Sequence, residues 1–120
     1  EFIEKFYSSN VDYLSNSEPI TYPDGLDIEV FNFKSLKNAN EKATKKYDKE
    51  HVTPYIKNFN RNKKLNITYK EDLSNIRLTL DEDEDFETLK RVFKFFNSNI
   101  YFGWEKMISS IKKKKNYINQ

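Results

Sequence analysis

The alternation of apolar and polar residues predicts a β-strand directly after a tight turn. Pro23 fixes its own φ near the value that turn position i+1 requires, and Gly25 can supply the positive φ of a chain reversal. Beyond Gly25, apolar residues alternate with Asp27 and Glu29 as far as residue 30, which is the period of a half-buried strand. We therefore expect the two carboxylates to project from the strand face opposite the apolar side chains.

Apolar residues recur at helical spacing in five other stretches. They predict the end of a helix over residues 2–8, a helix that begins near Ser35 as its N-cap, a helix with Thr53 as N-cap and Pro54 as its first residue, a helix from Phe86 and a last helix around Trp104. In the third of these, one buried stripe is expected to contain Val52, Tyr55, Ile56 and Phe59.

Three further stretches are expected to be strands. Residues 11–14 predict a short strand and residues 65–69 an edge strand. Residues 75–81 give the clearest alternation, with apolar side chains on one face and polar ones, including Asp81, on the other.

Composition limits the classes of protein that fit. The 120 residues suit one domain, and 16% aromatic residues allow a packed core although 33% of the chain is charged. The absence of cysteine excludes disulfides, thiolate zinc sites and thiol catalysis, and it fits a cytoplasmic protein.

No apolar run has membrane-spanning length, and a net charge of +2 does not indicate a nucleic-acid partner. Because the chain opens at Glu1 with helical spacing and no capping residue, we expect it to be cut from a longer protein.

The strand that follows the turn offers candidate binding chemistry. Carboxylates at positions i and i+2 of a strand, here Asp27 and Glu29, lie about 6.5–7 Å apart along one face. Such a pair can accept hydrogen bonds from sugar hydroxyls or hold a hydrated cation. Alternatively, both carboxylates simply face solvent on a one-sided sheet.

His51, the single histidine, lies beside Glu50 and just before the predicted helix start at Thr53. A histidine near a helix terminus is more often structural than catalytic. Because imidazole changes charge near neutral pH, however, it suits proton transfer or a sugar contact. Both interpretations are open from sequence alone.

Five consecutive acids, Asp81 to Asp85, join the predicted strand over residues 75–81 to a helix. Carboxylates cap a helix start and interact favourably with its dipole, which accounts for most of the run. Asp81 would instead lie at the carboxyl end of a strand, where open α/β sheets bind ligands. Because Mg²⁺ prefers one or two carboxylates together with waters and phosphate oxygens, Asp81 is a candidate magnesium ligand.

Three motifs carry a family resemblance. Residues 22–31 (Tyr-Pro-Asp-Gly-Leu-Asp-Ile-Glu-Val-Phe), 50–56 (Glu-His-Val-Thr-Pro-Tyr-Ile) and 78–87 resemble, in order and spacing, the later half of certain cytidylyltransferases. These are the enzymes of the spore coat polysaccharide biosynthesis type, relatives of the acylneuraminate and 3-deoxy-manno-octulosonate cytidylyltransferases. The resemblance spans nearly the whole chain.

The resemblance implies an α/β fold: a partial glycosyltransferase-A-like, Rossmann-related nucleotidyltransferase with a mixed sheet and flanking helices, from which the N-terminal nucleotide-binding half is absent. It implies a reaction of CTP with an acidic or modified sugar that gives a CMP-sugar and pyrophosphate with Mg²⁺, for cell-surface polysaccharide synthesis. The chain alone is expected to be inactive. No membrane partner is expected, and a homodimer is compatible with the sequence.

The resemblance also assigns roles to residues, although it identifies no certain catalytic group. Asp81 matches a magnesium-binding aspartate of the family, and Asp85 matches a second aspartate in the same family motif. We expect the sugar side of the site to be lined by Asp24, Asp27, Glu29, Glu50 and His51. Asp81 should converge on one cleft with the paired acids that follow the turn.

Two other functions are compatible with the residues. The chain could be a non-catalytic sugar-binding or assembly module on the same scaffold, which would bind sugar without dependence on CTP. It could also bind nucleic acid through the lysine-rich loop at residues 58–64 and through Lys112–Lys115, although other basic and aromatic patterning is lacking.

Overall fold

A computed structural model describes residues 1–97 and 99–118. Its elements, in chain order, are α1 (Phe2–Ser9), β1 (Tyr13–Ser15), β2 (Glu29–Phe31), α2 (Phe33–Lys42), α3 (Lys46–Glu50), α4 (Pro54–Asn58), β3 (Lys64–Asn66), α5 (Asp83–Phe95) and α6 (Trp104–Ile118). The chain is therefore a small α/β protein with flanking helices, and it divides into two compact units, Glu1–Ile76 and Arg77–Gln120. None of the helices described has the length and apolar character needed to cross a lipid bilayer.

The first unit contains a three-stranded mixed sheet with β1 in the centre. β1 pairs antiparallel with β2, so that Tyr13 lies opposite Phe31 and Ser15 opposite Glu29. On its other side β1 pairs parallel with β3. Since successive side chains of a strand point to opposite faces, Tyr13, Phe31 and Glu29 share one face of the sheet.

Helices α2 and α4 cover the face of the sheet that carries Tyr13. Tyr13, Ala39 and Ile56 form a buried cluster against which Phe31, Leu36 and Tyr55 pack. The helical stripe predicted after Thr53 is confirmed for Ile56, which is 0% exposed, but it is wrong for Val52, which is 52% exposed. Val52 precedes α4, so the helical period does not extend to its side chain.

The side chain of Asn16, the residue after β1, binds the backbone of the facing segment where a strand would use its own backbone groups. Its side chain is 1% exposed. The amide nitrogen donates to the Leu26 carbonyl at 2.8 Å, and the amide oxygen accepts from the Ile28 N–H at 2.9 Å. One side chain therefore aligns residues 26–28 beside β1, and the backbone ladder predicted from residue 26 begins only at Glu29.

The turn before β2 is displaced by one position from the prediction. The Leu26 N–H donates to the Pro23 carbonyl at 3.1 Å, so Pro23 occupies position i of the turn rather than i+1. Gly25, at i+2, has a φ of 97°. The expected need for a positive φ at this glycine is confirmed, because a type II turn demands it at i+2.

The N-cap of helix α2 lies three residues before the predicted one. Its N-cap is Asn32, whose side-chain oxygen accepts from the Ser35 N–H at 2.7 Å. Ser35 lies inside the helix and is buried. The prediction of Ser35 as N-cap was wrong because Asn32 has the same capping chemistry one turn earlier.

The linker between α3 and α4 contains a strained residue. Val52 has a φ of 52°, a left-handed conformation that disfavours β-branched side chains. The Thr53 N–H donates to the His51 carbonyl at 2.5 Å across it, which closes a three-residue turn. This turn allows Pro54 to begin a new helix directly after α3 ends.

The second unit begins with an extended segment that is not a strand. Residues 77–81 and the preceding Ile76 form no strand ladder in the described chain, so the strand predicted over residues 75–81 is wrong. Leu80, expected on its apolar face, is exposed. Alternation specifies an extended backbone with two faces, but a strand also requires a neighbour for its hydrogen bonds.

The acid run caps helix α5, as the capping interpretation predicts. Glu82 is the N-cap, and it forms a capping box with Asp85. The buried Asp85 carboxylate also accepts hydrogen bonds from Arg77 Nε at 2.8 Å and Nη2 at 3.1 Å, from the Thr79 hydroxyl at 3.0 Å and from the Asp81 N–H at 3.0 Å. The paired Arg77 guanidinium is the main cause that lowers the pKa of Asp85 far below its ordinary value.

Helices α5 and α6 of the second unit contact each other. Val92 and Ile108 are buried, and Phe96 stacks on Phe102 with ring centroids 4.2 Å apart. The helix predicted from Phe86 is confirmed by α5, and that around Trp104 by α6.

We predict that the Asn16 side chain is required for stability. Asn16→Ala leaves two backbone groups of residues 26–28 without partners, which should lower the free energy of unfolding by about 1–3 kcal/mol. Asn16→Asp keeps an acceptor for the Ile28 N–H but loses the donor to the Leu26 carbonyl. Its loss of stability therefore measures the bond to Leu26 alone. Urea denaturation measures both losses. Asn60→Ala, an exposed control, should change stability by less than about 0.5 kcal/mol, and an equal loss in both alanine variants would contradict the prediction.

We predict that Val52→Gly stabilises the protein. A left-handed conformation costs a β-branched residue on the order of 1–3 kcal/mol, whereas the greater freedom of glycine in the unfolded chain offsets roughly 0.5–1 kcal/mol. The free energy of unfolding should therefore rise by about 1 kcal/mol. Val52→Ala keeps a Cβ atom and serves as the matched control. If the free energy of unfolding in urea is no higher for the glycine variant than for the alanine variant, the left-handed backbone at residue 52 does not destabilise the protein.

We predict that Asp85 makes stability depend on acidic pH. Because folding lowers its pKa below the ordinary 3.8, the charged carboxylate contributes its full stabilisation above that pH and loses it as the pH falls further. Urea midpoints of the wild type should drop below this pH, while those of Asp85→Asn should be lower at neutral pH and change less in acid. Asp83→Asn, a neighbouring first-turn acid, should keep the wild-type profile. Parallel profiles for the wild type and Asp85→Asn would disprove this assignment.

Candidate functional site

The first unit contains a cleft of about 460 Å³ where two of the sequence motifs meet. It is bounded by the segment after β1, the start of β2, residues of α3 and its C-cap, and one side of α4. The lining residues are Ser17, Glu18, Glu29, Tyr47, His51, Thr53, Pro54, Lys57 and Asn58. Glu29 comes from the motif at residues 22–31 and His51 from the motif at residues 50–56.

The Glu29 carboxylate is held in place by two hydroxyl groups. Tyr13 Oη donates to Glu29 Oε2 at 2.6 Å, and Thr53 Oγ1 donates to Glu29 Oε1 at 3.3 Å. Tyr13 is 3% exposed. Burial, together with the hydrogen bond to the Glu29 carboxylate, raises the pKa of Tyr13 well above its ordinary value, so its hydroxyl remains a donor.

Sheet register explains why Glu29 reaches Tyr13. Phe31 is the direct partner of Tyr13 across the two strands, and Glu29 is two residues away, which makes it a diagonal neighbour on the same face. Glu29 points away from Val30, as the alternation predicts. Glu29 lies on the face that carries Tyr13 and the helices α2 and α4, at a position that is itself exposed to solvent.

His51 caps the C-terminus of α3 and faces the cleft. Its ring lies against that of Tyr47, with centroids 4.5 Å apart. No hydrogen bond engages the imidazole nitrogens within the described chain, so both are available to a ligand. The pair therefore offers an aromatic surface beside free polar atoms.

Charge in the cleft is partly compensated. Lys57 forms an ion pair with Glu18. Glu29 has no cationic partner among the residues described, since its contacts are the hydroxyls of Tyr13 and Thr53. The lining therefore carries two carboxylates and one ammonium group, besides His51.

The other predicted sugar-side residues lie outside the cleft lining. Asp24 is within the turn, where its N–H donates to the Ile76 carbonyl at 2.9 Å. Asp27 is exposed and precedes β2, and Glu50 is exposed at the end of α3. Substrate contact by these three residues, and by Glu29 and His51, stays a prediction.

The predicted metal ligand Asp81 belongs to the second unit. Its carboxylate is 72% exposed and lies 3.6 Å from Arg77 Nη2. The argument from a strand end no longer supports it, because residues 75–81 form no strand. Asp85 accepts hydrogen bonds at both carboxylate oxygens, from Arg77 at Oδ1 and from the Asp81 N–H at Oδ2. In the described ranges, no three His, Asp or Glu residues are grouped to hold a metal ion. Convergence of Asp81 with Asp27 and Glu29 also stays a prediction.

Two residues that hold Glu29, the core residue Tyr13 and the lining residue Thr53, were not predicted from sequence. Tyr13 looks like any aromatic of a buried strand, and nothing in the sequence reveals its hydroxyl contact. Thr53 was predicted as an N-cap, and it does precede α4, but its side chain makes no capping bond and contacts Glu29 instead. The position of Thr53 within the motif at residues 50–56 was the available signal.

Two known proteins are similar to this chain, although no protein-family model matches it. An uncharacterized protein of Methanocaldococcus jannaschii is 39% identical over 98 residues, which cover 79% of this chain and 39% of that protein. The solved structure of a cytidylyltransferase from Leptospira borgpetersenii matches with a TM-score of 0.86 and 30% identity, over 96% of this chain and 49% of its own. The chain thus spans about half of the solved protein and less than half of the archaeal one. In fold and sequence, it is similar to one part of a cytidylyltransferase, and this similarity supports a nucleotidyltransferase-like role.

Proposed function

We propose that this chain is the sugar- and metal-facing part of a cytidylyltransferase of the spore coat polysaccharide biosynthesis type. The reaction couples CTP to an acidic or modified sugar in the cytoplasm, where CTP is made. The observation that carries the proposal is the fold and sequence similarity to a solved cytidylyltransferase over nearly the whole chain. The cleft formed by Glu29 and His51 supports it, because two motifs that are distant in sequence meet there.

The cleft has the chemistry of a sugar site. Glu29 has carboxylate lone pairs beyond those used by Tyr13 and Thr53, and these can accept from sugar hydroxyls. The free imidazole nitrogens of His51 add a donor and an acceptor. The adjoining Tyr47 ring offers an apolar surface for the carbon skeleton.

Asp81 is the residue of this chain that would hold Mg²⁺. Its exposed carboxylate fits an ion that takes one or two carboxylates and completes its shell with water and substrate phosphates. When bound, the ion would neutralise phosphate charge.

The proposed reaction is a displacement at phosphorus. A sugar hydroxyl forms a bond to the α-phosphorus of CTP, the bond to the bridging oxygen breaks, pyrophosphate leaves, and the hydroxyl proton is released. No covalent enzyme intermediate is needed. The contribution of Glu29 and His51 is to orient the sugar hydroxyl, since positioning and charge neutralisation supply most of the rate in such transfers.

Pyrophosphate release tests the proposal. CTP, Mg²⁺ and a panel of acidic and modified sugars should be given to this chain and to the longest protein that contains it. We expect sugar-dependent release from the longer protein, reduced about 10–100-fold by Glu29→Gln, which removes a charged hydrogen-bond acceptor. Glu4→Gln, the same change on α1, should retain the wild-type rate.

Two outcomes would contradict the proposed activity. Absence of pyrophosphate release from both proteins would count against a cytidylyltransferase. Sugar binding that is unaffected by CTP, together with absence of release, would instead favour a non-catalytic sugar-binding or assembly module.

A further inference from the structure

A second cleft, of about 370 Å³, lies in the first unit beside the end of α2. Helices α3 and α4 supply part of its lining, as they do for the cleft that contains Glu29 and His51. Among the lining residues that the structure describes, the two clefts share only Asn58. The second cleft is therefore a separate site, and the proposed sugar chemistry does not use it.

The second cleft carries an excess of positive charge. Lys42 and Lys45 contribute two ammonium groups to its lining, and Asp48 contributes one carboxylate. Within residues 1–97 and 99–118, neither ammonium group has a hydrogen-bond or ion-pair partner. A phosphate monoester carries a charge of about −1.5 to −2 at pH 7. It therefore matches two free ammonium groups, which a neutral ligand would leave unpaired.

Aromatic side chains form another part of the wall. Tyr55 and Phe59 both line the second cleft and are half-buried. Their rings are stacked, with centroids 5.8 Å apart and planes inclined by 18°. Because the two residues lie one turn apart along α4, the helix holds the pair in one orientation. The rings thus provide a flat apolar surface on which the planar ring of a ligand can stack.

Acceptors for hydroxyl groups also line the second cleft. The carboxylate of Asp48 is an acceptor, and the side-chain amide of Asn58 both donates and accepts. In the part of the chain that the structure describes, neither side chain has a hydrogen-bond partner. The lining therefore combines cations for a phosphate, acceptors for sugar hydroxyls and aromatic rings for a base.

We propose that the second cleft binds a nucleoside monophosphate. The phosphate contacts Lys42 and Lys45. The ribose hydroxyls donate to Asp48, and the base stacks on the rings of Tyr55 and Phe59. The volume suits such a ligand, because small-molecule pockets occupy about 300–1,000 Å³. Binding requires neither CTP, Mg²⁺ nor the sugar, so it is independent of the proposed reaction.

NMR titration of this chain with AMP, adenosine and ribose 5-phosphate, without Mg²⁺, tests the binding. AMP is neither a substrate nor a product of the proposed reaction. We expect it to bind about tenfold more tightly than ribose 5-phosphate, the scale of one base stacked on an aromatic side chain. It should bind about fivefold more tightly than adenosine, the scale of exposed ion pairs. Amide signals should shift in residues 42–48 and 55–60.

Ionic strength separates the two kinds of contact. The affinity for AMP should fall as ionic strength rises from about 0.01 M to about 1 M, because salt screens exposed charges. The affinity for adenosine, which has no phosphate, should change little over the same range. A fall of equal size for both ligands would contradict the assignment of the phosphate to the lysines.

Two variants and a control link the binding to the named residues. Lys45→Gln should weaken AMP and ribose 5-phosphate about fivefold and leave adenosine unchanged. Phe59→Leu keeps an apolar side chain but removes the ring, so it should weaken AMP and adenosine and leave ribose 5-phosphate unchanged. Lys34→Gln makes the same change in charge on α2, outside the lining, and should bind all three ligands as the wild type does.

Four results would overturn the inference. Absence of AMP binding would reject the site, and equal affinities for AMP and ribose 5-phosphate would exclude base stacking. Equal weakening by Lys45→Gln and Lys34→Gln would attribute the phosphate contact to the general charge of the surface. Signal shifts confined to the cleft of Glu29 and His51 would place the ligand there. Pyrophosphate release from the longer protein is unaffected by any of these results, so the two proposals fail separately.

Discussion

The hydrogen bond from Tyr13 to Glu29 joins the core of the first unit to its cleft. Tyr13 belongs to the buried cluster that fixes α2 and α4 on the sheet, and its hydroxyl determines where the Glu29 carboxylate lies. A buried hydroxyl must have a partner, so the core residue and the cleft residue constrain each other. The Tyr13 hydroxyl therefore fixes one oxygen of a carboxylate that is otherwise exposed to solvent.

The opposite wall of the cleft depends on a short, strained connection. Ile56 anchors α4 in the core, and the turn at Val52 brings α4 close enough to α3 for His51 and Thr53 to face Glu29. The strain in the Val52 backbone persists because the packing of Ile56 on one side and the tilted contact between the His51 and Tyr47 rings on the other define the path between them. Core packing and local strain together form the cleft.

The acids of the second unit differ in their partners and in their exposure. Asp85 is committed to Arg77 and to the start of α5, so the stability of the helix depends on it. Asp81 is exposed and only loosely paired, and its carboxylate is therefore the available one. The resemblance had matched both residues to family aspartates, but only the structure shows that Asp85 caps the helix while Asp81 is exposed to solvent.

Local chemistry determined much of this protein from sequence alone. The helical periods of α1, α4, α5 and α6, the positive φ at Gly25 and the capping role of the acid run follow from residue types a few positions apart. Glu29 and His51 were also identified as candidates by their motifs. Tertiary structure alone decided that these two residues share a cleft and that Tyr13 and Thr53 orient Glu29. It also decided that the Asn16 side chain binds the backbone of residues 26–28, and that residues 75–81 form no strand. The physical reason is that alternation fixes only which way side chains point, whereas a ladder or a buried hydrogen bond requires a partner that is distant in sequence.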